Sequence, residues 1–471
     1  DNDFISFYEA PDNSTNPNLP ATETKYSTYK LNERRAGDKD TNPNPSFVDK
    51  KIQDVFFFEN RLGFIAGDTV CLSESGEFFN FFKVTTLQLL DTAPIDVAMP
   101  STSIATLRHG VPFKGNLILF DEQTQYVLGA GRQAVTPKTV AISQTGTAEC
   151  DKDCKPVVLG SNLLFAHKKG TNAGFHNMLI ENPEADIYNS YNIAEHVPTY
   201  LADNMKQLAI IPQENLMIAL PQPTAGTQCN TLYFYKYLDM NRKRVQSAWF
   251  KYEVDLPWTG GTTGGISNAT SQIDSIHVID DTLYMSVAMN KASQNSMFTC
   301  LSMKIGSNIT DDNSSVLTLL DSKCFAGGAA TVAYTGVNNQ VRVSTGGGKT
   351  NFDLPYYIGA TDTLKVYRKA TASSTTISVV TPESTGDWGS GTRVVFDGDV
   401  SANQYWFGKP YTMTYEFAQP LFKGATAGGG SSLVTSGRYQ VHSADLVYTD
   451  TNTFTTSVSA PGRNTYTYTF T

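Results

Sequence analysis

Short apolar runs bounded by turn residues recur along most of the chain, and residues 50–82 show this pattern most clearly. Apolar runs at 55–58, 62–66 and 69–72 are separated by a polar break at 59–61 and by a Gly67-Asp68 pair. A glycine at the first central position of a two-residue hairpin supplies the positive φ that a type II′ turn requires. Strands joined by tight turns, with little charge inside them, are typical of a repeated all-β architecture.

Residues 207–254 read as a set of four strands, and residues 272–305 repeat the first three strands of that set. Repeats of about 40 to 50 residues with four short strands are typical of propeller blades. We therefore predict an irregular β-propeller over residues 47–330, with a large β-sandwich or barrel as the alternative. Residues 1–46 are polar and rich in Asn, Pro and Thr, so we expect a lead-in that packs on a missing or neighbouring domain.

Beyond residue 324 the composition shifts toward glycine and threonine, and the predicted strands alternate more cleanly. In residues 411–417 and 466–471, apolar and polar residues alternate with a period of two. This pattern indicates strands with one buried and one solvent-exposed face. We predict a second, β-sandwich-like domain over residues 331–471. The one segment considered for a helix is 186–204, which contains a proline. The predicted fold class is therefore all-β.

Charged residues make up 17% of the chain, and the net charge is −9. An acidic balance argues against a surface built to grip a nucleic-acid backbone, although it is compatible with a channel through which nucleic acid slides. The sequence contains no apolar run long enough to span a membrane. Because the chain opens with Asp1 and its last predicted strand reaches Thr471, we expect it to be truncated at both ends.

The cysteines and histidines show no metal-ligand spacing. Only Cys150 and Cys154 are close in sequence, and no second pair follows them at the spacing of a zinc site. Free or structural thiols are the main interpretation, and a local disulfide or metal clip is the alternative. The six histidines are scattered, and each is interpreted as an ordinary strand or loop residue. We expect no metal and no cofactor.

No sequence motif of a common enzyme class is present: the chain lacks a dinucleotide-binding glycine motif, a P-loop, a nucleophile elbow and a zinc-protease motif. Residues 385–389, TGDWG, match a sialidase-type turn once but lack the aromatic residue that usually follows, so an ordinary turn is the better interpretation. Catalytic carboxylates of propeller glycosidases come from distant blades and cannot be recognised by spacing. We therefore predict that the chain is not an enzyme, and we assign no catalytic residue.

Two groups of charged residues stand out. In NRKRVQ (241–246), Arg242, Lys243 and Arg244 occupy a predicted turn between strands. A solvated hairpin tip is the simplest interpretation, and a loop facing DNA or another subunit is the alternative. Arg61 lies in FENRLGF (58–64) between two apolar strands, where a charge needs a partner or solvent. We expect it to bind backbone carbonyls or a carboxylate.

Long, collinear blocks of this sequence resemble the tail nozzle proteins of short-tailed phages (podoviruses), also called tail tubular proteins B. They extend over most of the chain: residues 37–82 (GDKDTNPNPSFVDKKIQDVFFFENRLGFIAGDTVCLSESGEFFNFF), 94–99 (PIDVAM), 107–128 (LRHGVPFKGNLILFDEQTQYVL), 135–140 (VTPKTV), 194–201 (AEHVPTYL), 243–253 (KRVQSAWFKYE), 411–422 (YTMTYEFAQPLF) and 437–451 (GRYQVHSADLVYTDT).

The resemblance implies a structural virion protein, assembled in the host cytoplasm and located in the virion tail. Six copies would form a tube below the portal and the tail adaptor protein (tail tubular protein A), with tail fibres as a further expected partner. Double-stranded DNA would pass through the tube in weak contact with its wall. A glycan-binding or glycan-hydrolysing propeller protein of the virion is the alternative, and a monomeric propeller scaffold is a third.

The resemblance gives the residues around Arg61 a structural role and no catalytic one. We expect a signature that fixes the register of the first blade, with Asn60, Arg61 and Gly63 forming its turn. The signature residues are Phe58, Asn60, Arg61, Leu62, Gly63 and Phe64.

Overall fold

The regular structure of this protein is almost entirely β-strand. Apart from one 3-10 helix (Pro212–Glu214), the residues that the structure describes contain no helix, and the all-β prediction is confirmed. The computed structural model describes residues 31–99, 106–131, 133–182, 187–222, 229–240, 243–254, 271–291, 294–306, 320–326, 341–356, 358, 363–369, 377–388, 391–411, 414, 423–425, 431–433, 445, 454–459 and 464–470.

Five antiparallel sheets follow one another between residues 52 and 304, each built from strands that are consecutive in the chain. The first contains β1 (Ile52–Phe58), β2 (Arg61–Ala66), β3 (Thr69–Leu72) and β4 (Ile95–Ala98). The second contains β5 (His109–Phe113), β6 (Asn116–Phe120), β7 (Gln125–Gly129) and β8 (Ala141–Gly146). The third contains β9 (Val157–Leu159), β10 (Asn162–Lys169), β11 (Asn172–Asn182) and β12 (Ile187–Asn192).

The fourth and fifth sheets continue the series. The fourth contains β13 (Met205–Ile211), β14 (Leu216–Pro221), β15 (Thr231–Met240) and β16 (Lys243–Glu253). The fifth contains β17 (Ser271–Ile279), β18 (Thr282–Lys291) and β19 (Gln294–Lys304). The first strands of successive sheets are neighbours, since β1 contacts β5, β5 contacts β9, β9 contacts β13 and β13 contacts β17. Propeller blades are arranged in this way, and a propeller remains the prediction for this part of the chain.

Apolar cores lie between neighbouring sheets, and central strands such as β6 bury both of their faces. In β6, Leu117 and Leu119 pack into the core shared with the first sheet. Ile118 and Phe120 point the other way, into the core shared with the third sheet, where the ring centroids of Phe120 and Phe165 lie 5.2 Å apart. Alternate residues of one strand thus serve two cores. Each fully buried Leu, Ile or Phe side chain stabilises the fold by about 1.5–3 kcal/mol.

The outer face of the first sheet is covered by chain segments rather than by a further sheet. Leu31 and Phe47 pack there beside Phe81, and the backbone N–H and hydroxyl of Ser46 both donate to the Asp96 carboxylate at 2.8 Å. The described part of the predicted lead-in, residues 31–46, therefore packs on the first sheet of its own chain.

Two further sheets share one core later in the chain. One contains β20 (Asp321–Ala326), β27 (Gln404–Lys409), β23 (Lys365–Lys369) and β24 (Ile377–Val380). The other contains β21 (Arg342–Gly346), β22 (Lys349–Asp353), β26 (Gly391–Asp397) and β25 (Ser384–Trp388). Phe352 of the second sheet lies 4.8 Å from Tyr405 and 5.2 Å from Phe407 of the first, between ring centroids. This packing is sandwich-like, as predicted, and β20 begins ten residues before the predicted boundary at 331.

A separate small unit covers residues 412–471. Its described strands form two hairpins, β28 (Lys423–Ala425) with β29 (Ser431–Leu433) and β30 (Phe454–Val458) with β31 (Tyr466–Phe470). The strand predicted at 466–471 corresponds to β31, but all five residues of β31 are exposed, so the expectation of one buried face is wrong for this strand. Most of the strand predicted at 411–417 lies outside the described residues.

The short helix considered for residues 186–204 is wrong. Residues 187–192 form strand β12, which pairs along β11, and bends and turns follow it. The sequence IYNSYN explains this outcome because isoleucine and tyrosine favour strands. Tyr188 is buried, and Tyr191 reaches the amide of Asn177.

Candidate functional site

The turn between β1 and β2 is formed by Glu59 and Asn60. Their φ angles are +48° and +57°, so both residues adopt the left-handed conformation of a type I′ hairpin turn. Arg61 and Gly63 lie in β2 instead. This corrects the expectation that Asn60, Arg61 and Gly63 together form the turn. Of these three residues, only Asn60 has the conformation that a two-residue hairpin turn requires.

The apolar residues of the signature pack on both faces of the first sheet. Phe58 is buried in the core shared with the second sheet, whereas Leu62 and Phe64 are buried on the opposite face. The ring of Phe64 lies 5.1 Å from the rings of both Phe47 and Phe81, between centroids. The hairpin therefore joins two separate cores.

Arg61 occupies a cage of backbone carbonyl oxygens, and only 2% of it is exposed. Its Nη1 donates hydrogen bonds to the carbonyls of Ser73 at 2.7 Å, Ala93 at 2.8 Å and Thr92 at 3.2 Å. Its Nη2 donates to the carbonyl of Asp91 at 3.0 Å. Burial lowers the pKa of Arg61, and the carboxylate of Glu74 partly opposes that shift. The carbonyl dipoles replace the water that a buried guanidinium loses.

Through this cage Arg61 fixes one end of an exposed segment, residues 83–93, which we term the anchored loop. Asn42 fixes the other end, because its amide donates to the Lys83 carbonyl at 3.0 Å and accepts from the Lys83 N–H at 3.1 Å. Between the two ends the loop exposes apolar side chains, among them Leu87, which is 95% exposed. A buried arginine thus holds a surface feature in place.

The structure places Arg244, the described arginine of the basic turn, against other side chains. Its guanidinium donates to the Asp239 carboxylate, to the Tyr235 hydroxyl at 2.8 Å and to the Asn162 amide oxygen at 3.3 Å. It also lies 4.1 Å from the centre of the Tyr237 ring. Asp239 therefore compensates its charge, and a fully solvated tip does not describe this residue.

The other two residues of the basic turn are less defined. Arg242 lies outside the described residues, and Lys243 is described only as the first residue of β16. The role of the turn toward DNA or another subunit remains a prediction.

A chain of polar side chains between the third and fourth sheets was not anticipated from the sequence. The Asn162 amide donates to the Tyr237 hydroxyl at 2.9 Å. The Asn177 amide donates to the Asn162 oxygen at 2.7 Å and to the Tyr191 hydroxyl at 2.8 Å. Burial raises the pKa of Tyr235 and of Tyr237, which keeps both hydroxyls protonated. Asparagines within otherwise apolar strands are the signal that could have indicated such a network.

His167 and His176 meet on neighbouring strands, with ring centroids 4.4 Å apart. Burial lowers the pKa of both, and the pKa of His167 falls to about 4 because His176 and Lys169 add to the effect. The Nδ1 atoms of both rings are buried without a hydrogen-bond partner among the described residues. The two histidines are nine positions apart in the sequence, so the hairpin register rather than a spacing motif brings them together.

Candidate chemistry elsewhere in the described residues is sparse. Residues 385–388 of the sialidase-like motif lie in strand β25, which corrects the expected turn. No three His, Cys, Asp or Glu side chains gather as metal ligands within the described ranges. All six cysteines are free thiols.

A shallow cleft of about 390 Å³ beside Arg368 and Glu383 opens between the two later sheets. No helix of the described chain is long and apolar enough to cross a membrane.

Comparison with known proteins gives one extensive match. A family model described as bacteriophage nozzle protein matches residues 22–471. The tail tubular protein gp12 of Escherichia phage T7 is 32% identical over 220 residues, which cover 47% of this chain and 27% of that protein. The chain thus spans well under two thirds of that relative.

Similarity to solved structures is slight. The WD40 domain of Neurospora crassa Pan2 aligns with a TM-score of 0.31 and 10% identity, over 79% of this chain and 92% of that one. A GH32 β-fructofuranosidase from Bombyx mori aligns with a TM-score of 0.25 and 9% identity, over 75% and 86% of the two chains. Neither likeness bears on function.

Proposed function

Because the chain belongs to the bacteriophage nozzle protein family and is a structural protein of the virion tail, we propose that it forms the wall of a tube through which the viral genome leaves the particle. The family match over residues 22–471 is the observation that carries this proposal. The family consists of structural tail proteins rather than enzymes.

In the proposed assembly, six copies surround the channel below the portal and the tail adaptor protein (tail tubular protein A), with tail fibres as further partners. The five consecutive sheets at 52–304 form the propeller, and the later sandwich-like sheets belong to the β-sandwich-like domain predicted at 331–471. A channel wall that guides DNA must be rigid, and it needs no catalytic site. Apolar cores on both sides of the second, third and fourth sheets supply that stiffness.

The residues Phe58, Asn60, Arg61, Leu62, Gly63 and Phe64 serve this function structurally in our proposal. They hold the first sheet in register, join its two cores and, through Arg61, fix the anchored loop. Their role is to maintain shape in the assembled tail, because they lie in the cores and in the first turn of this sheet.

Charge supports weak contact between the wall and DNA. The chain has a net charge of −9, and Asp239 compensates Arg244 in the basic turn. Neutralising phosphates with Lys and Arg releases counterions and supplies most of the nonspecific affinity of a protein for DNA. A wall without an excess of free cations lets the duplex slide.

Virions stopped during genome ejection test the proposal. Ultraviolet crosslinking should join DNA to this chain in ejecting particles and not in full particles, because the duplex fills the channel only during release. If the DNA in ejecting particles is crosslinked to other tail proteins and not to this chain, the proposed conduit is contradicted.

A further inference from the structure

The hairpin of β30 and β31 forms a sheet of its own near the end of the chain. Its two strands pair along their whole length, from Phe454 with Phe470 to Val458 with Tyr466. Among the residues that the structure describes, no third strand joins this sheet. An isolated two-stranded hairpin is at best marginally stable in water. We therefore expect a further strand to stabilise it in the assembled tail.

The two faces of this hairpin differ in chemistry, and both are exposed. One face carries Val458, Tyr466 and Tyr468, whose side chains are 52%, 54% and 57% exposed. The other face carries hydroxyl groups, among them those of Thr455 and Thr469, which lie 3.3 Å apart. Strict alternation between the two faces is typical of strands that belong to a larger sheet or barrel.

The outer edges of β30 and β31 lack the devices that normally prevent a strand edge from pairing. Natural edge strands are protected by charged side chains, especially lysine, by proline or by β-bulges. The strands FTTSV (454–458) and YTYTF (466–470) contain no charged residue and no proline, and their pairing is free of bulges. Each strand directs part of its backbone N–H and C=O groups away from its partner in the hairpin. An additional strand can therefore pair with either edge.

Each copy of the chain carries both halves of a suitable contact. The outer edge of β31 in one copy and the outer edge of β30 in the next have the same length, five residues each. Neither strand is charged, so no like charges would lie opposite each other across the contact. The antiparallel order of the hairpin also continues across it, because β30 and β31 run in opposite directions. DNA has no backbone amides and cannot form such a ladder.

We propose that the hairpins of adjacent copies pair edge to edge, β31 of one copy with β30 of the next, and close into a β-barrel around the tail axis. The inference rests on the proposed tube, in which identical copies surround one axis. Head-to-tail contacts of this kind close into a ring, and closure leaves no strand edge open. The barrel has one hydroxyl-rich and one aromatic wall, and neither carries a charge from β30 or β31.

A photo-crosslinking phenylalanine derivative in place of Tyr468, in full-length chains within intact virions, tests the contact. Irradiation should give a covalent dimer of the chain. The peptide recovered from this dimer should join position 468 of one copy to residues 454–458 of another. The matched control carries the same amino acid in place of Tyr252, which is 44% exposed in β16, and should give no link to residues 454–458.

A charge placed on the strand edge tests the same contact without a crosslinker. A lysine protects a strand edge from pairing, and Thr467→Lys places one in every contact of the ring. The amount of chain incorporated into tails should fall by about tenfold relative to Thr171→Lys, the effect of about 1.4 kcal/mol of lost contact. Thr171 is exposed in the turn between β10 and β11, so the two variants add the same charge at an exposed threonine.

Each other outcome contradicts the inference. A crosslink from position 468 that stays within one chain, one that reaches DNA or a different tail protein, or no crosslink would show that the hairpins do not pair. Equal links to residues 454–458 from 468 and 252, or equal incorporation of the two lysine variants, would show that the edge contact is unspecific or unused. DNA crosslinking in ejecting virions without the dimer from 468 would leave the proposed conduit standing and overturn only the barrel. The dimer without DNA crosslinking would support the barrel and overturn the conduit.

Discussion

Gly63 in the centre of β2 shows how closely the first sheet is packed. A Cβ atom at this position would lie 2.4 Å from the ring of Phe56 and 2.8 Å from Leu72. Both neighbours are buried in the core shared with the second sheet, so neither can move away freely. Glycine is required here because the side chains of Phe56 and Leu72 occupy the space that a Cβ atom would need. Its backbone conformation is not the reason, since its φ is not positive.

Replacing this glycine should strain the core. Gly63→Ala should lower the free energy of unfolding by about 1–3 kcal/mol, the usual cost of overpacking, as measured by denaturant titration. Gly346→Ala in β21 is the matched control, because a Cβ there meets nothing within 4 Å. Equal effects at both positions would refute the role assigned to the Phe56 contact.

The His167–His176 pair makes stability depend on pH. The folded pKa of both groups lies below the ordinary value of 6.5, and that of His167 is about 4. The unfolded chain therefore binds more protons between pH 6.5 and 4, and stability should fall as pH falls through this window. A shift from 6.5 to 4 in His167 corresponds to at most about 3 kcal/mol.

Denaturant midpoints measured at several pH values check this prediction. His167→Gln should flatten the acid slope between pH 6.5 and 4, whereas His277→Gln, at an exposed position, should leave the slope as it is. An unchanged slope in the His167 variant would mean that the pair does not control acid stability.

At the level of elements, Arg61 connects a strand to the anchored loop. Arg61→Ala should lower the free energy of unfolding by about 3–5 kcal/mol, because two buried and two partly buried carbonyls lose their donor. Amide exchange in residues 91–93 should also accelerate. Lys138→Ala is the control, since Lys138 binds the same loop end only through a surface ion pair with Asp91 at 3.0 Å, worth about 1 kcal/mol or less. A loss no larger than that of the control would contradict the structural role of Arg61.

Many elements could be predicted from the sequence because their signals are local. The run at 69–72 coincides with β3, and Gly67 has the positive φ that its turn position predicts. The partners of Arg61, Arg244 and the histidines could not be predicted in the same way. They depend on strand register and on contacts between sheets, so no spacing in the sequence reveals them.

The short helix considered for residues 186–204 was wrong for a related reason, because residues 187–192 form strand β12. Its isoleucine and two tyrosines favour a strand, but pairing with the neighbouring strand β11 fixes the conformation.

At the level of the whole molecule, the acidic balance predicts poor binding of DNA. The purified chain should bind a DNA duplex with a dissociation constant weaker than about 10⁻⁴ M at physiological salt, beyond the usual range of nonspecific binding. Fluorescence anisotropy of a labelled duplex checks this value. Affinity in the micromolar range, falling steeply with added salt, would contradict a wall that lets DNA slide.

The central claim is that copies of this chain form the wall of the tail channel. A three-dimensional electron microscopy reconstruction of the intact virion tests it most directly, because the five consecutive sheets at 52–304 are a recognisable feature. The account predicts six copies around the tail axis, enclosing a continuous channel below the portal. Copies placed only on the outside of the tail, with another protein lining the channel, would contradict it.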